Sequence, residues 1–176
     1  MDPQMQQLVQ RLVADPHDAA ALAAAHQAGT QDPQSYATLL ETVAQRTSDT
    51  GIASHWLNEA AQVWQSLGDS GKHQQLLMLA AERDPSNAEV VAQVVAACQA
   101  RGDVASIVKL RESMCTVLKA QLRGDDCDRA AVRATLIETH QQLAEHYHNS
   151  GDGNSEACHL AALVDADPSD MLAIYS

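Results

Sequence analysis

The chain contains no phenylalanine, and its two tryptophans and three tyrosines bring the aromatic content to only 3%. That scarcity disfavours β-sandwiches and barrels, whose strands draw on aromatic and β-branched side chains. Positive charge is also scarce: 11 Lys and Arg stand against 23 Asp and Glu, for a net charge of −12, and the 11 do not cluster. Nucleic-acid binding needs a basic stripe, so that class is disfavoured and a basic protein partner is the natural counterpart. No apolar run approaches the roughly 20 residues that cross a bilayer, and no signal-peptide core follows Met1, so a soluble, cytoplasmic protein is expected. Cys98, Cys115, Cys127 and Cys158 show no C-x-x-C spacing and read as free thiols in a reducing compartment. The nucleophile elbow, the P-loop and G-x-G-x-x-G are all missing; Gly151-Asp152-Gly153 lacks both a preceding strand and a third glycine. Neither enzyme activity nor a cofactor is expected.

What the chain does have is helical periodicity, with no convincing two-residue alternation. Met5, Leu8 and Leu12 form a first apolar stripe, and Ala19, Leu22 and His26 a weaker second one that Gly29-Thr30 is expected to stop. Asp32-Pro33 opens a third helix with Tyr36, Leu39, Leu40 and Val43 on one face, broken at Ser48 to Gly51. Ile52, Trp56, Ala60, Val63 and Leu67 follow, then Leu76, Leu77 and Ala80. Beyond Asp84-Pro85 come Val91, Val94, Val95 and Cys98, then a long stripe from Ile107 to Leu122, another from Val132 to Tyr147, and a last from Ala157 to Val164. The pattern predicts an all-α fold of about nine helices joined by short turns, plus a C-terminal stub.

The turns repeat. Gly68 to Pro85 and Gly151 to Pro168 are both 17 residues apart, each flanked by Gly-Asp at one end and Asp-Pro-Ser at the other. Glycine suits a left-handed helix end, while Asp followed by Pro suits an N-cap and first helical position. In register, Ala60, Ala61, Trp64, Gly68, Leu77, Ala80 and Pro85 match Leu143, Ala144, Tyr147, Gly151, Leu160, Leu163 and Pro168, and Gly102 lies 34 residues after Gly68. This pattern resembles the tetratricopeptide repeat (TPR): a small residue and an aromatic in helix A, a glycine turn, then Ala or large apolar residues in helix B before a closing proline, at a period of about 34 residues. The resemblance covers two good units. The unit from Asn87 has Val95 and Cys98 at the small and aromatic positions, and 49 residues separate Gly102 from Gly151. It implies a solenoid of TPR-like antiparallel hairpins forming one domain over 1–176, with degenerate units at about 1–16 and 17–51, better units at about 52–86, 87–127 and 128–168, and a partial unit at 169–176, expected to belong to a longer protein.

The resemblance also implies a role. Helix A of each unit would line a groove presenting His55, Asn58, Glu59, Gln62 and Gln65, then Glu89, Gln93 and Gln99, then Glu138, Gln141, Gln142, Glu145, His148 and Asn149. That set is amide and acid without Lys or Arg, suited to a peptide backbone or a basic side chain rather than an acidic C-terminus. The implied function is a non-enzymatic scaffold or adaptor holding a peptide or helix of a partner protein. Two alternatives stand beside it. One is self-association through an apolar terminal face at Met171, Leu172 and Ile174; the other is metal- or ligand-responsive regulation by His140, His146, His148, Cys158 and His159, although zinc-finger spacing and H-E-x-x-H are absent. On the stripe, His140 reads as a structural histidine, and Arg101-Gly102-Asp103 as a helix-ending turn rather than an adhesion tripeptide.

Acid is uneven along the chain: residues 134–176 hold seven acids and no Lys or Arg. If that field steers a basic partner, association slows as ionic strength rises; an association rate unchanged between low and high salt excludes steering.

Overall fold

The computed structural model describes residues 3–124 and 127–166. Pro168 and the apolar stub Met171, Leu172 and Ile174, with the partial unit 169–176, lie outside the described residues. Among those described there are nine helices and no strand: α1 (Pro3–Ala14), α2 (Ala19–Gln31), α3 (Pro33–Arg46), α4 (Thr50–Ser66), α5 (Ser70–Arg83), α6 (Ala88–Ala100), α7 (Val104–Gln121), α8 (Arg129–Ser150) and α9 (Gly153–Ala166). No described helix is long and apolar enough to cross a membrane. The chain forms two compact units, Met1–Ala97 and Cys98–Ser176, with the division inside α6.

Side-chain caps set the helix starts. Aspartates 18, 32, 49, 69, 103, 128 and 152 accept hydrogen bonds from backbone N–H groups in the first turns of α2, α3, α4, α5, α7, α8 and α9. Asn87 does the same for α6, bonding the Val90 N–H at 3.2 Å. Each such bond satisfies a donor that has no partner within its own helix, and losing one costs about 1 kcal/mol.

Three glycines end helices alike. Gly68, Gly102 and Gly151 have φ of 80°, 68° and 77°, the left-handed region. The N–H of the following aspartate reaches back to the carbonyl of Trp64, Cys98 or Tyr147 at 3.0, 2.9 and 3.0 Å. This is the six-to-one bond of a Schellman ending. Glycine closes one helix and the next residue's carboxylate caps another, so two residues make a hairpin turn.

The prolines correct an expectation. Pro33 opens α3, with Asp32 as its cap, and Pro3 stands first in α1. Asp84 and Pro85 instead lie in a turn after α5, where Asp84 Oδ1 accepts from the Ser86 N–H at 3.1 Å and Asn87, not Asp84, caps α6. Asp15-Pro16-His17-Asp18 repeats that turn: Asp15 Oδ1 accepts from the His17 N–H at 2.9 Å, and Asp18 caps α2. Proline disfavours helical backbone in the residue before it, so the preceding helix stops and the cap moves two residues beyond the ring.

Gly29 and Thr30 do not stop α2, which runs to Gln31. A Cβ on Gly29 would lie 2.8 Å from Tyr36 Cγ, so glycine is there to admit the tyrosine ring. In α6 the buried line is Val90, Val94 and Cys98, with Val91 and Val95 only partly covered. Leu67, expected on the α4 stripe, is exposed because it caps the helix beside Gly68.

Within the first unit, α4 and α5 are antiparallel. Ser54 Oγ donates to the Ala80 carbonyl at 2.9 Å, and His73 Nδ1 donates to the Ala61 carbonyl at 2.9 Å. A side chain as short as serine reaches a neighbouring backbone only if the helices approach closely, which buried Ala53, Ala60, Ala61, Ala80 and Ala81 allow. In the second unit α8 packs between α7 and α9.

Replacing Gly151 with Ala is expected to lower stability by roughly 1–2 kcal/mol in urea unfolding, because no neighbour blocks the new Cβ and only the left-handed φ resists it. Gly153→Ala, two residues on inside α9, serves as the comparison and should not destabilise. Equal effects would show that the turn relaxes.

Candidate functional site

Two aromatics at equivalent positions, Trp64 and Tyr147, are held in similar ways. Trp64 Nε1 on α4 donates to Glu41 Oε1 on α3 at 2.7 Å, while Lys72 from α5 sits 4.1 Å over its ring and 3.6 Å from the same carboxylate. Tyr147 Oη on α8 donates to Glu112 Oε1 on α7 at 2.6 Å, and the His159 ring of α9 stacks on it at 5.5 Å and 5°. In each case a carboxylate of the preceding helix takes the polar tip, and a nitrogen-bearing side chain of the following helix covers the face. The Glu112 bond, with some burial, pushes the Tyr147 phenol up to about 12.

Tyr36 on α3 makes a third such tie. Its hydroxyl donates to Glu59 Oε1 on α4 at 2.5 Å and lies 3.1 Å from His26 Nδ1 on α2. Burial, then the Glu59 contact, raises its pKa strongly. A hydroxyl has one proton; with that proton donated to Glu59, the Tyr36 oxygen accepts from His26 Nδ1–H.

Beside this tie the first unit holds a cavity of about 500 Å³. Leu22 and His26 of α2 line it, together with Ile52, His55, Trp56 and Glu59 of α4 and Pro16, His17 and Gly51. Trp56 is 4% exposed and its Nε1–H has no hydrogen-bond partner. Glu59 Oε2 is 3.9 Å from His55 Nε2, too long for a hydrogen bond. The site therefore combines apolar walls with the imidazoles of His17 and His55 and a Glu59 oxygen that makes no hydrogen bond.

Of the residues expected in a groove, the structure brings together His55 and Glu59, in this cavity. Gln62 and Gln65 are exposed on α4, while Asn58 is half-buried with its Oδ1 unpartnered. Glu89 and Gln93 bond each other along α6 at 3.5 Å. In the second unit Gln99 is exposed, and Glu138, Gln141, Gln142, Glu145, His148 and Asn149 occupy the outward side of α8. That side is not purely acid and amide. Half-buried Arg111 of α7 lies near Glu138 and Glu145, and His148 Nδ1 bonds Glu156 on α9 at 3.0 Å. Sequence reasoning missed Arg111, His17, His26 and Leu22 as site residues and read Trp56 only as core. No local signal marks them, since each acquires its neighbours from a different helix.

His140 is buried on the apolar stripe of α8. Its Nδ1 lies 2.8 Å from His159 Nδ1 and 3.8 Å from Cys115 Sγ, while its Nε2 is buried without a partner. One of the paired Nδ1 atoms must donate and the other accept. Burial pushes the Cys115 thiol up to about 11. Among the described residues no group of three or more His, Cys, Asp or Glu side chains is placed to hold a metal, and Cys158 is exposed, outside this cluster.

Burial, with Lys119 and His159 nearby, pushes His140 down from the ordinary 6.5 to about 4. Below pH 6.5 the unfolded chain takes up a proton that the folded chain refuses until about pH 4, so stability is complete above 6.5 and declines across that window. The slope approaches about 1.4 kcal/mol per pH unit for this one group. His140→Leu should flatten the decline in denaturant melts between pH 6.5 and 4, and an unchanged slope would assign it to other groups.

A scan against protein-family models finds no match to this chain, and a search of curated proteins finds none either.

Proposed function

We propose that this chain is a non-enzymatic scaffold or adaptor built of TPR-like hairpins, which binds an extended peptide or helix of a partner protein. The TPR-like reading is supported by three glycine turns with one hydrogen-bond pattern, two Asp-Pro turns that also agree, and the matching environments of Trp64 and Tyr147. Hairpins of this kind stack through their buried faces and leave helix flanks free for partners.

The observation that carries the binding role is the cavity beside the exposed amides of α4. Apolar walls of about 500 Å³ give a partner side chain somewhere to bury, and Gln62 and Gln65 on the same helix offer both donors and acceptors to a peptide backbone. Four unpaired thiols fit a reducing compartment, with the cytoplasm as the setting of this reading.

An array of short synthetic peptides, probed with the full chain, should reveal sequence-selective binders. Changing Gln62, Gln65, Gln141 and Glu145 together to Ala should weaken the best of them by about tenfold or more, with the melting profile retained. An array with no selective binder, or one whose binding ignores the four substitutions, argues against the role.

A further inference from the structure

The cavity of the first unit has a hydrogen-bonding character that its residue types alone do not convey. Glu59 accepts the Tyr36 hydroxyl on Oε1, and its Oε2 makes no hydrogen bond. The same hydroxyl, its proton directed at Glu59, accepts a hydrogen bond from His26 Nδ1–H, so in the neutral ring Nε2 is the acceptor nitrogen. One tyrosine thus sets two cavity residues in acceptor form. No Lys or Arg lines the cavity among the described residues, and the nearest nitrogen to Glu59 Oε2 that is given is His55 Nε2 at 3.9 Å. The walls between are apolar, with the flat indole of Trp56 beside Leu22 and Ile52, and the Trp56 Nε1–H is a buried donor with no acceptor.

From these facts we infer that the cavity is the receptor for an arginine side chain of the bound peptide. This rests on the peptide-binding reading and assigns its anchor. A guanidinium carries five donors in a planar fork and no acceptor, the complement of separated acceptors at Glu59 and His26. Its plane suits the face of an indole and its methylenes suit Leu22 and Ile52. Lysine concentrates its charge at a single strongly hydrated point and is the poorer fit to two acceptors flanking an apolar wall. The net charge of −12 favours the approach of such a peptide.

The chain's two tryptophans provide the test, because one lines the cavity and the other is tied to Glu41 outside it. In two-dimensional ¹H–¹⁵N spectra of the full chain, acetyl-Ala-Arg-Ala-amide should move the Trp56 indole resonance saturably at up to about 10 mM and leave that of Trp64 in place. The same peptide with citrulline for arginine keeps the shape and loses the charge, and should bind at least about tenfold more weakly; lysine should fall between. Glu59→Gln retains an acceptor for Tyr36, so the unit should stay folded, as an unmoved Trp64 resonance would report, while arginine-peptide affinity falls by about tenfold. The inference is overturned if the arginine peptide produces no saturable Trp56 shift, if citrulline or lysine binds as well, or if both indoles move together. Arginine-free peptides that bind through Gln62 and Gln65 while the arginine peptide does not would remove this inference and leave the peptide-binding role intact.

Discussion

Each helix exposes unpaired backbone donors at its start and unpaired acceptors at its end, and the nine described helices, joined by short links, multiply that cost. This chain meets it with aspartate. From α2 to α9 every start has a side-chain cap, seven from Asp and one from Asn87, and three of the ends use a left-handed glycine placed directly before the capping Asp. The serine hydroxyl three residues on, and then its backbone N–H, hold Asp32, Asp103 and Asp152 below the ordinary carboxylate range, while the Ala21 N–H and then Arg11 do so for Asp18. Much of the acidity that looks like a surface field is therefore structural. Even in the C-terminal quarter Asp152 caps α9, Glu156 holds His148, and Glu138 and Glu145 face Arg111.

With helix ends secured by caps, the interior can be built from small side chains. Alanine faces bring α4 and α5 near enough for Ser54 and His73 to bond the opposite backbone. The rare aromatics then act as cross-ties rather than bulk filler. Tyr36, Trp64 and Tyr147 each place a polar tip on a glutamate from another helix, which satisfies a group whose partial burial would otherwise be costly and fixes helix register through a directional bond. Trp56 is the exception. It is as buried as Trp64, yet its N–H is unpartnered, and it lines the cavity. A polar group left unsatisfied amid otherwise paired ones marks a place where packing alone does not explain the residue.

Much of this architecture was legible in the chain as text. The stripes and the Gly-Asp pairs give an all-α chain of nine described helices, because helical periodicity, left-handed glycine and aspartate capping act within a few residues. Where local reasoning failed, two local preferences competed or a distant contact intervened. Asp-Pro at 84 and 85 could open a helix or force a turn before one, and the cap available at Asn87 decided for the turn. Gly29 looked like a breaker, yet it stays helical to make room for a ring from α3. The candidate site was less legible still. His55 and Glu59 were identifiable as polar residues of α4, but the cavity they share with His17, Leu22 and His26 requires α2 and α4 both to pack on α3.

The amino-acid sequence by itself determined most helix starts and ends and which face of most helices is apolar, since backbone geometry and solvent exclusion select those from near neighbours, while the end of α2 waited on the Tyr36 ring from α3. Protonation and hydrogen-bond roles came from tertiary packing. Glu41, Glu59 and Glu112 are alike as residue types, but each acquires an aromatic donor from another helix, and His140 becomes a buried, proton-refusing imidazole through what lies against it. The energy of a charge or a hydrogen bond depends on its partners and on the exclusion of water, neither of which exists until the helices pack.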